Sequence, residues 1–169
     1  MSDIGVGWTV YESPIGPLTV AAGPRGLTAV SFPGRLRIPS EVPKLPLPEV
    51  TRQLDAYFAG ELREFDLPLD PGGTPLELAV WRALLEIPYG QTASYGEQAG
   101  RIDPALFDDV EPWQRPRVVG AANGRNPLAI VVPCHRVIGA DGSLTGYGGG
   151  LERKRALLDL ESSRQLAIL

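Results

Sequence analysis

Pro133-Cys134-His135-Arg136-Val137-Ile138 sets the only cysteine of the chain beside its only histidine. A thiol becomes a nucleophile when a neighbour takes or shares its proton, and an imidazole and a guanidinium both favour the thiolate. The hexapeptide therefore marks reactive chemistry, and the elements on either side of it define the fold that carries it. Just upstream, residues 129–132 are apolar and predict a short extended run. Asn126-Pro127 ends a helix predicted over 117–123, because the residue before a proline avoids the helical region. Pro116 suits the first turn of that helix. Downstream, residues 139–142 predict a turn, Gly148-Gly149-Gly150 a flexible bend, and residues 151–160 a last helix. The tail after Glu161 is expected to fray.

Further out, Ser94-Tyr95-Gly96-Glu97 fits a capping box, in which the serine caps a helix and the glutamate reaches back to it. A preceding helix over 76–87 sets Leu78, Trp81, Leu84 and Leu85 on one face, and Pro88-Tyr89-Gly90 ends it. The helices starting at Ser94 and Arg117 resemble a helix-turn-helix. Their connection, residues 102–114, is much longer than the usual turn of about three to four residues. The first part of the chain reads differently. Trp8-Thr9-Val10-Tyr11, Leu18-Thr19-Val20-Ala21 and residues 27–32 are short β-rich runs separated by Pro14-Ile15-Gly16-Pro17 and Gly23-Pro24-Arg25-Gly26, which predicts a small antiparallel sheet. A proline-rich loop over 33–48 leads to a helix over 50–58, with Leu54, Tyr57 and Phe58 at helical spacing and Gly60 as its stop. Residues 67–73 read as a linker. The expected class is α+β, with an N-terminal α/β domain over 1–73 and a mainly helical C-terminal domain over 74–169.

With 43% hydrophobic and 21% charged residues, the 169-residue chain falls in the ordinary globular range. One cysteine excludes an internal disulfide and a multi-cysteine zinc cluster, and it suits a reducing, cytoplasmic setting. The N-terminus has no basic stretch leading into an apolar run, so no signal peptide is expected, and no apolar run approaches the length of a membrane span. A net charge of -4 argues weakly against nucleic acid. The average hides a local excess, however. Arg115, Arg117, Arg125, Arg136, Arg153, Lys154 and Arg155 face only Asp141 and Glu152 over residues 112–155.

Together, these motifs resemble the O6-alkylguanine-DNA alkyltransferases, or methylated-DNA--protein-cysteine methyltransferases. The likeness covers nearly the whole chain. It runs through Ser13-Pro14-Ile15-Gly16-Pro17-Leu18, Val80-Trp81, Ile87-Pro88-Tyr89-Gly90, Ser94-Tyr95, Val119-Gly120-Ala121-Ala122, Asn126-Pro127, the cysteine hexapeptide, Gly146-Tyr147 and residues 154–161. The resemblance implies an N-terminal domain like ribonuclease H and a C-terminal winged helix-turn-helix. It also implies transfer of an alkyl group from the O6 of guanine, or the O4 of thymine, in double-stranded DNA to the cysteine sulfur, once per molecule. No cofactor, metal, membrane or obligate protein partner is implied.

Residue roles follow from the same resemblance. Cys134 is the acceptor, His135 the base acting through water, and Glu161 the acid that orients the imidazole, by the logic of a catalytic triad. Arg117 matches the arginine that fills the space left by the extruded base through the minor groove. Tyr95 matches the tyrosine that drives base rotation and bonds the departing base. Val137, Tyr147 and Gly148 match the substrate pocket, and the small Gly148 implies room for groups larger than methyl. Asn126 matches a hinge asparagine tying the segment before Cys134. Arg136 is expected to hold the active loop together. The family's usual turn is shorter and less acidic than residues 102–114, which carry Asp103, Asp108, Asp109 and Glu111; a surface excursion is expected there. Two other functions fit a Cys-His pair less well. A cysteine hydrolase would turn over repeatedly, and a non-catalytic lesion-binding protein of this type would lack the cysteine.

Overall fold

In the computed structural model the backbone is described for residues 4–168 and the side chains for residues 4–162. The chain divides into two compact units. The first runs to Gly72 and takes in Pro127–Val131; the second comprises Gly73–Asn126 and the remainder from Val132. A single cut at residue 73 therefore misses the return of Pro127–Val131 to the first unit, which long-range pairing produces and local sequence does not signal. The class is α+β, as expected.

The first unit is built on an antiparallel sheet in the order β1 (Gly7–Ser13), β2 (Gly16–Gly23), β3 (Gly26–Ser31). Register is fixed by the tight connections, with Ser13 opposite Gly16 and Gly23 opposite Gly26, and a bulge falls between Ala21 and Ala22. Leu18, Val20, Leu27 and Val30 are fully buried on the sheet. Helix α1 (Pro48–Phe58) adds Val50, Leu54 and Tyr57 to this core. Its buried Gln53 is satisfied by the backbone of Asp66, donating to its oxygen at 2.9 Å and accepting from its nitrogen at 2.8 Å. The free edge of β3 is covered at both ends, which removes a row of unpaired backbone groups. Leu27 pairs with the segment at Pro68 and Asp70, and Val30 pairs with Pro127 and Ala129. At Gly26, φ is +143°, and an added Cβ would lie 2.5 Å from the Pro68 oxygen, so this crossing requires glycine.

The second unit is mainly helical: α2 (Pro75–Leu84), α3 (Tyr95–Ala99), α4 (Arg115–Gly124) and α5 (Leu151–Ile168), with a two-residue parallel pair of β4 (Ala93–Ser94) and β5 (Val137–Ile138). Thr74 and Ser94 each close a capping box, with Glu77 and Glu97 respectively. Helix α2 ends at Leu84, three residues earlier than the sequence predicts. Its buried face is Val80, Trp81, Ala83 and Leu84, while Leu85 is exposed because the helical register stops before it. Helix α5 passes the predicted end at 160 and continues to Ile168. No helix among the described residues is long and apolar enough to cross a membrane.

A buried polar knot sets α4 against α2 and α3. Gln98 and Asn123 exchange carboxamide hydrogen bonds at 2.9 and 2.8 Å, and Gln98 Nε2 also donates to the Val80 oxygen. Trp81 Nε1 donates to the Ala122 oxygen at 2.9 Å. Each buried polar atom in this knot has a partner, which makes the helix arrangement specific as well as stable. The long connection before α4 is not a bare surface excursion. Ile102 and Phe107 are buried, and two 3-10 turns (Pro104–Leu106 and Pro112–Gln114) give it regular structure, while Asp103, Asp108, Asp109 and Glu111 stay exposed.

Candidate active site

Residues 129–132, read from sequence as extended, form a sharp turn. Val131 N–H donates to the Ala129 oxygen at 2.8 Å across Ile130, whose φ is +73°. A buried β-branched residue in the left-handed region is costly, on the order of 1–3 kcal/mol, and persists only when its surroundings hold it there. A second tight turn follows in the other unit. Cys134 N–H donates to the Val132 oxygen at 2.8 Å across Pro133, at φ −82° and ψ 66°. The same Val132 oxygen accepts Asn126 Nδ2 at 2.8 Å. One carbonyl thus gathers the end of α4 and the backbone of the cysteine.

Cys134 opens the 3-10 turn Cys134–Arg136, is partly exposed and is in no disulfide. His135, next in the chain, is fully buried. Its Nε2 lies 2.8 Å from Glu161 Oε2, across 26 residues of sequence. Arg136 donates from Nε to Glu161 Oε1 at 2.8 Å, from Nη2 to Oε2 at 3.1 Å, and from Nη1 to the Ile87 oxygen at 2.7 Å. Its guanidinium also lies over the Tyr89 ring, 5.7 Å from the centroid. The guanidinium is thus committed to Glu161, Ile87 and Tyr89. It anchors the turn, as its sequence position suggested.

The charges within this cluster can be assigned. Burial pushes Glu161 upward, but hydrogen bonds from His135 and Arg136 and the charge of the Arg136 guanidinium outweigh it and hold the carboxyl at about 2, so it is ionised. Burial pushes His135 below its ordinary value, against the pull of Glu161. The imidazole is therefore neutral near pH 7. With a carboxylate at Nε2, that nitrogen carries the proton and donates it to Glu161. Nδ1 keeps a lone pair; it is buried and has no hydrogen-bond partner among the described residues. A neutral imidazole with one nitrogen oriented by a carboxylate and the other left as acceptor is the form a general base needs.

Sequence reasoning assigned no role to Lys154 or Thr145. Lys154 is fully buried on α5, and its Nζ donates to the Val137 oxygen at 2.6 Å and the Thr145 oxygen at 2.7 Å. Burial lowers the pKa of its ammonium, and negative charge at Cys134 opposes that shift, so the two groups are electrostatically coupled. The signal in the sequence was the spacing of Lys154, Leu157 and Glu161, which puts two charged residues on the apolar stripe of a helix.

Tyr95, half-buried at the start of α3, donates from its hydroxyl to the Thr145 oxygen at 3.3 Å and accepts from Thr145 Oγ1 at 3.0 Å. Its ring packs against Gly120 of α4, where an added Cβ would sit 3.4 Å from it. Tyr147 is half-buried and Gly148 exposed, both in the loop before α5. Val137 is wholly buried, and it is its carbonyl that meets Lys154. Arg117 is exposed on α4. The cluster therefore brings together Cys134, His135, Arg136 and Glu161, with Lys154 and Tyr95 meeting at Thr145; Arg117 belongs to the outward face of α4.

Comparison with known proteins identifies what these parts resemble. Residues 75–163 match the family model described as the DNA-binding domain of 6-O-methylguanine DNA methyltransferase. Residues 6–71 match the model of its ribonuclease-like domain. A methylated-DNA--protein-cysteine methyltransferase of Mycobacterium bovis is 51% identical over 166 residues, covering 96% of each chain. One from Methanosarcina acetivorans is 49% identical, covering 92% of this chain and 98% of its own. The crystal structure of the Mycobacterium tuberculosis OGT protein in complex with DNA superimposes with a TM-score of 0.81 at 50% identity, covering 94% of both chains.

Proposed function

We propose that this chain, which belongs to the 6-O-methylguanine DNA methyltransferase family, repairs DNA by moving an alkyl group from O6-alkylguanine to Cys134 in a single, irreversible event. The observation that carries this reading is the buried His135, held 2.8 Å from Glu161 and adjoining a partly exposed cysteine. His135 Nδ1 takes the thiol proton through a water, and Glu161 stabilises the imidazolium that results. The thiolate attacks the alkyl carbon as the carbon–O6 bond breaks. The departing guanine regains a proton, so the net products are a thioether and unmodified guanine. A thioether sulfur is a poor leaving group, and one event spends the molecule.

The base must leave the helix before its O6 can reach sulfur, at a cost of a few kcal/mol. We assign Arg117 to the vacated position in the minor groove and Tyr95 to rotation of the target nucleotide. Tyr147, Gly148 and Val137 are assigned to the alkyl pocket and Asn126 to the hinge that holds the Cys134 turn. The partner is double-stranded DNA, and the protein acts in the cytoplasm, where a free thiol survives.

The test is to mix the protein with duplex containing O6-methylguanine and weigh the protein afterwards. The expected result is a gain of a single methyl on Cys134, and none in Cys134→Ser. Repeated turnover with an unmodified sulfur would support a hydrolase in its place.

A further inference from the structure

Trp113 is the most exposed of the large hydrophobic side chains among the described residues, at 77%. A flexible loop would explain such exposure, but this segment is built to hold its shape. Phe107 is buried and carries the Arg115 guanidinium over its ring, 5.2 Å from the centroid. Asp103 caps the turn Pro104–Leu106 by accepting from Ala105 N–H at 3.0 Å. Around Trp113 itself, Gln114 N–H donates to the Glu111 oxygen at 2.8 Å, and Glu111 N–H donates to Gln114 Oε1 at 3.0 Å. An indole in solvent on a braced turn has large apolar area and little conformational freedom left to lose on binding.

Its position indicates what it meets. The turn Pro112–Gln114 runs into α4 without a break, through Gln114 at φ −88°, ψ −16° and Arg115 at φ −58°, ψ −40°. Trp113 and Arg117 are therefore about one turn apart on one continuous helical run, and both are exposed. Ala121 continues the row after four more residues and is exposed, as is Gly124. The opposite side of the helix is buried through Val119, Ala122 and Asn123. The outward row thus begins with an aromatic ring, passes through a cation and ends in small residues, a surface suited to a sugar–phosphate wall approached closely. It lies within the span matched to the DNA-binding domain.

We propose that Trp113 is a DNA-contact residue, its indole packing against the sugars and base edges of duplex DNA one helical turn before Arg117. This rests on the DNA-repair reading above and extends its DNA interface into the long connection, which otherwise carries only unfavourable acidic charge. The contact is apolar and independent of sequence, as aromatic contacts with nucleic acid commonly are.

The experiment compares wild type, Trp113→Ala, Trp113→Phe and Arg117→Ala for binding to an unmodified duplex across a salt series, with intrinsic fluorescence read in the same titrations. Trp113→Ala should melt close to wild type, because the residue is 77% exposed in the free protein, and should bind the duplex about tenfold more weakly. Its salt slope should be unchanged, whereas Arg117→Ala should lower the slope by about one unit. Trp113→Phe should retain most of the affinity but lose the fluorescence change that DNA produces in wild type. Wild-type affinity in Trp113→Ala, or a fluorescence change that persists in Trp113→Phe, would overturn the proposal. So would self-association of the free protein that Trp113→Ala abolishes. If wild type itself fails to repair methylated duplex, the fault lies with the broader reading and not with Trp113.

Discussion

Arg136 and Glu161, 25 residues apart, form a buried two-point ion pair, Nε to Oε1 at 2.8 Å and Nη2 to Oε2 at 3.1 Å. Glu161 also holds His135, so one carboxylate fixes both residues that follow the cysteine. Glu161→Gln leaves a buried guanidinium without its charge partner. The expected loss is about 3–5 kcal/mol of stability, read from denaturant unfolding, with alkyl transfer falling sharply because the imidazole loses its orientation.

Acid should weaken the protein in two stages. Glu161 is held at about 2 against an ordinary 4.5. Its contribution is complete above 4.5 and is lost as pH falls through about 2. His135 lies below its ordinary 6.5. As pH falls below 6.5 the unfolded chain binds a proton that the folded chain resists, so stability again declines toward acid. Melting temperature against pH should fall from about pH 6.5 downward and fall further below about pH 4.5. Transfer activity should persist below pH 6.5, where an unshifted histidine would already be charged. A melting temperature that stays level from pH 7 to 4 would contradict the assignment of a neutral imidazole.

Asn126→Ala removes the donor to the Val132 oxygen, which then keeps only the Cys134 N–H of the two donors described above. A stability loss of about 1 kcal/mol is expected. Single-turnover transfer should slow several-fold. Asn126→Asp, whose carboxylate cannot donate, should behave like alanine or worse in the same assays.

The parts legible in the sequence are those decided locally. Ser94 and Glu97 announce their helix because both capping partners lie within one turn. The three strands are marked by turn residues at each end. The misreadings occur where distant segments decide the structure. Ile130, Val131 and Val132 carry β-branched side chains that favour a strand, yet Ile130 is held at positive φ in a turn whose neighbours Pro127 and Ala129 pair with Val30. Phe107 is a single aromatic in an acidic stretch, and nothing local signals that it is buried and braces Arg115. In the site, the adjacent Cys134 and His135 were visible directly. Glu161 was reached only through family resemblance, since its hydrogen bond spans 26 residues. The pairing of Lys154 with Thr145, nine residues back and outside any regular element, also went unread.

Lys154→Met keeps the length of the side chain and removes the charge. The Val137 and Thr145 carbonyls then lose the donors at 2.6 and 2.7 Å. We expect a loss of about 2–4 kcal/mol in unfolding experiments. Transfer should also slow, because the thiolate loses a favourable nearby charge. Normal transfer kinetics in a folded Lys154→Met protein would show that the ammonium acts only on structure.

Gly26→Ala tests the first unit alone. Its Cβ would meet the Pro68 oxygen at 2.5 Å with φ at +143°. The expected loss is about 2 kcal/mol or more. Thermal melting should detect it, and the fraction that remains folded should react with free alkylated base at the normal rate.

The pairing of Ala93 with Val137 and Ser94 with Ile138 acts as a ruler. Cys134 stands three peptide bonds before one rung of it, and Tyr95 stands one bond after the other. The span from sulfur to the tyrosine is therefore set by counting along the chain. Lengthening or shortening residues 134–137 by one would shift the nucleophile relative to the helix that starts at Tyr95.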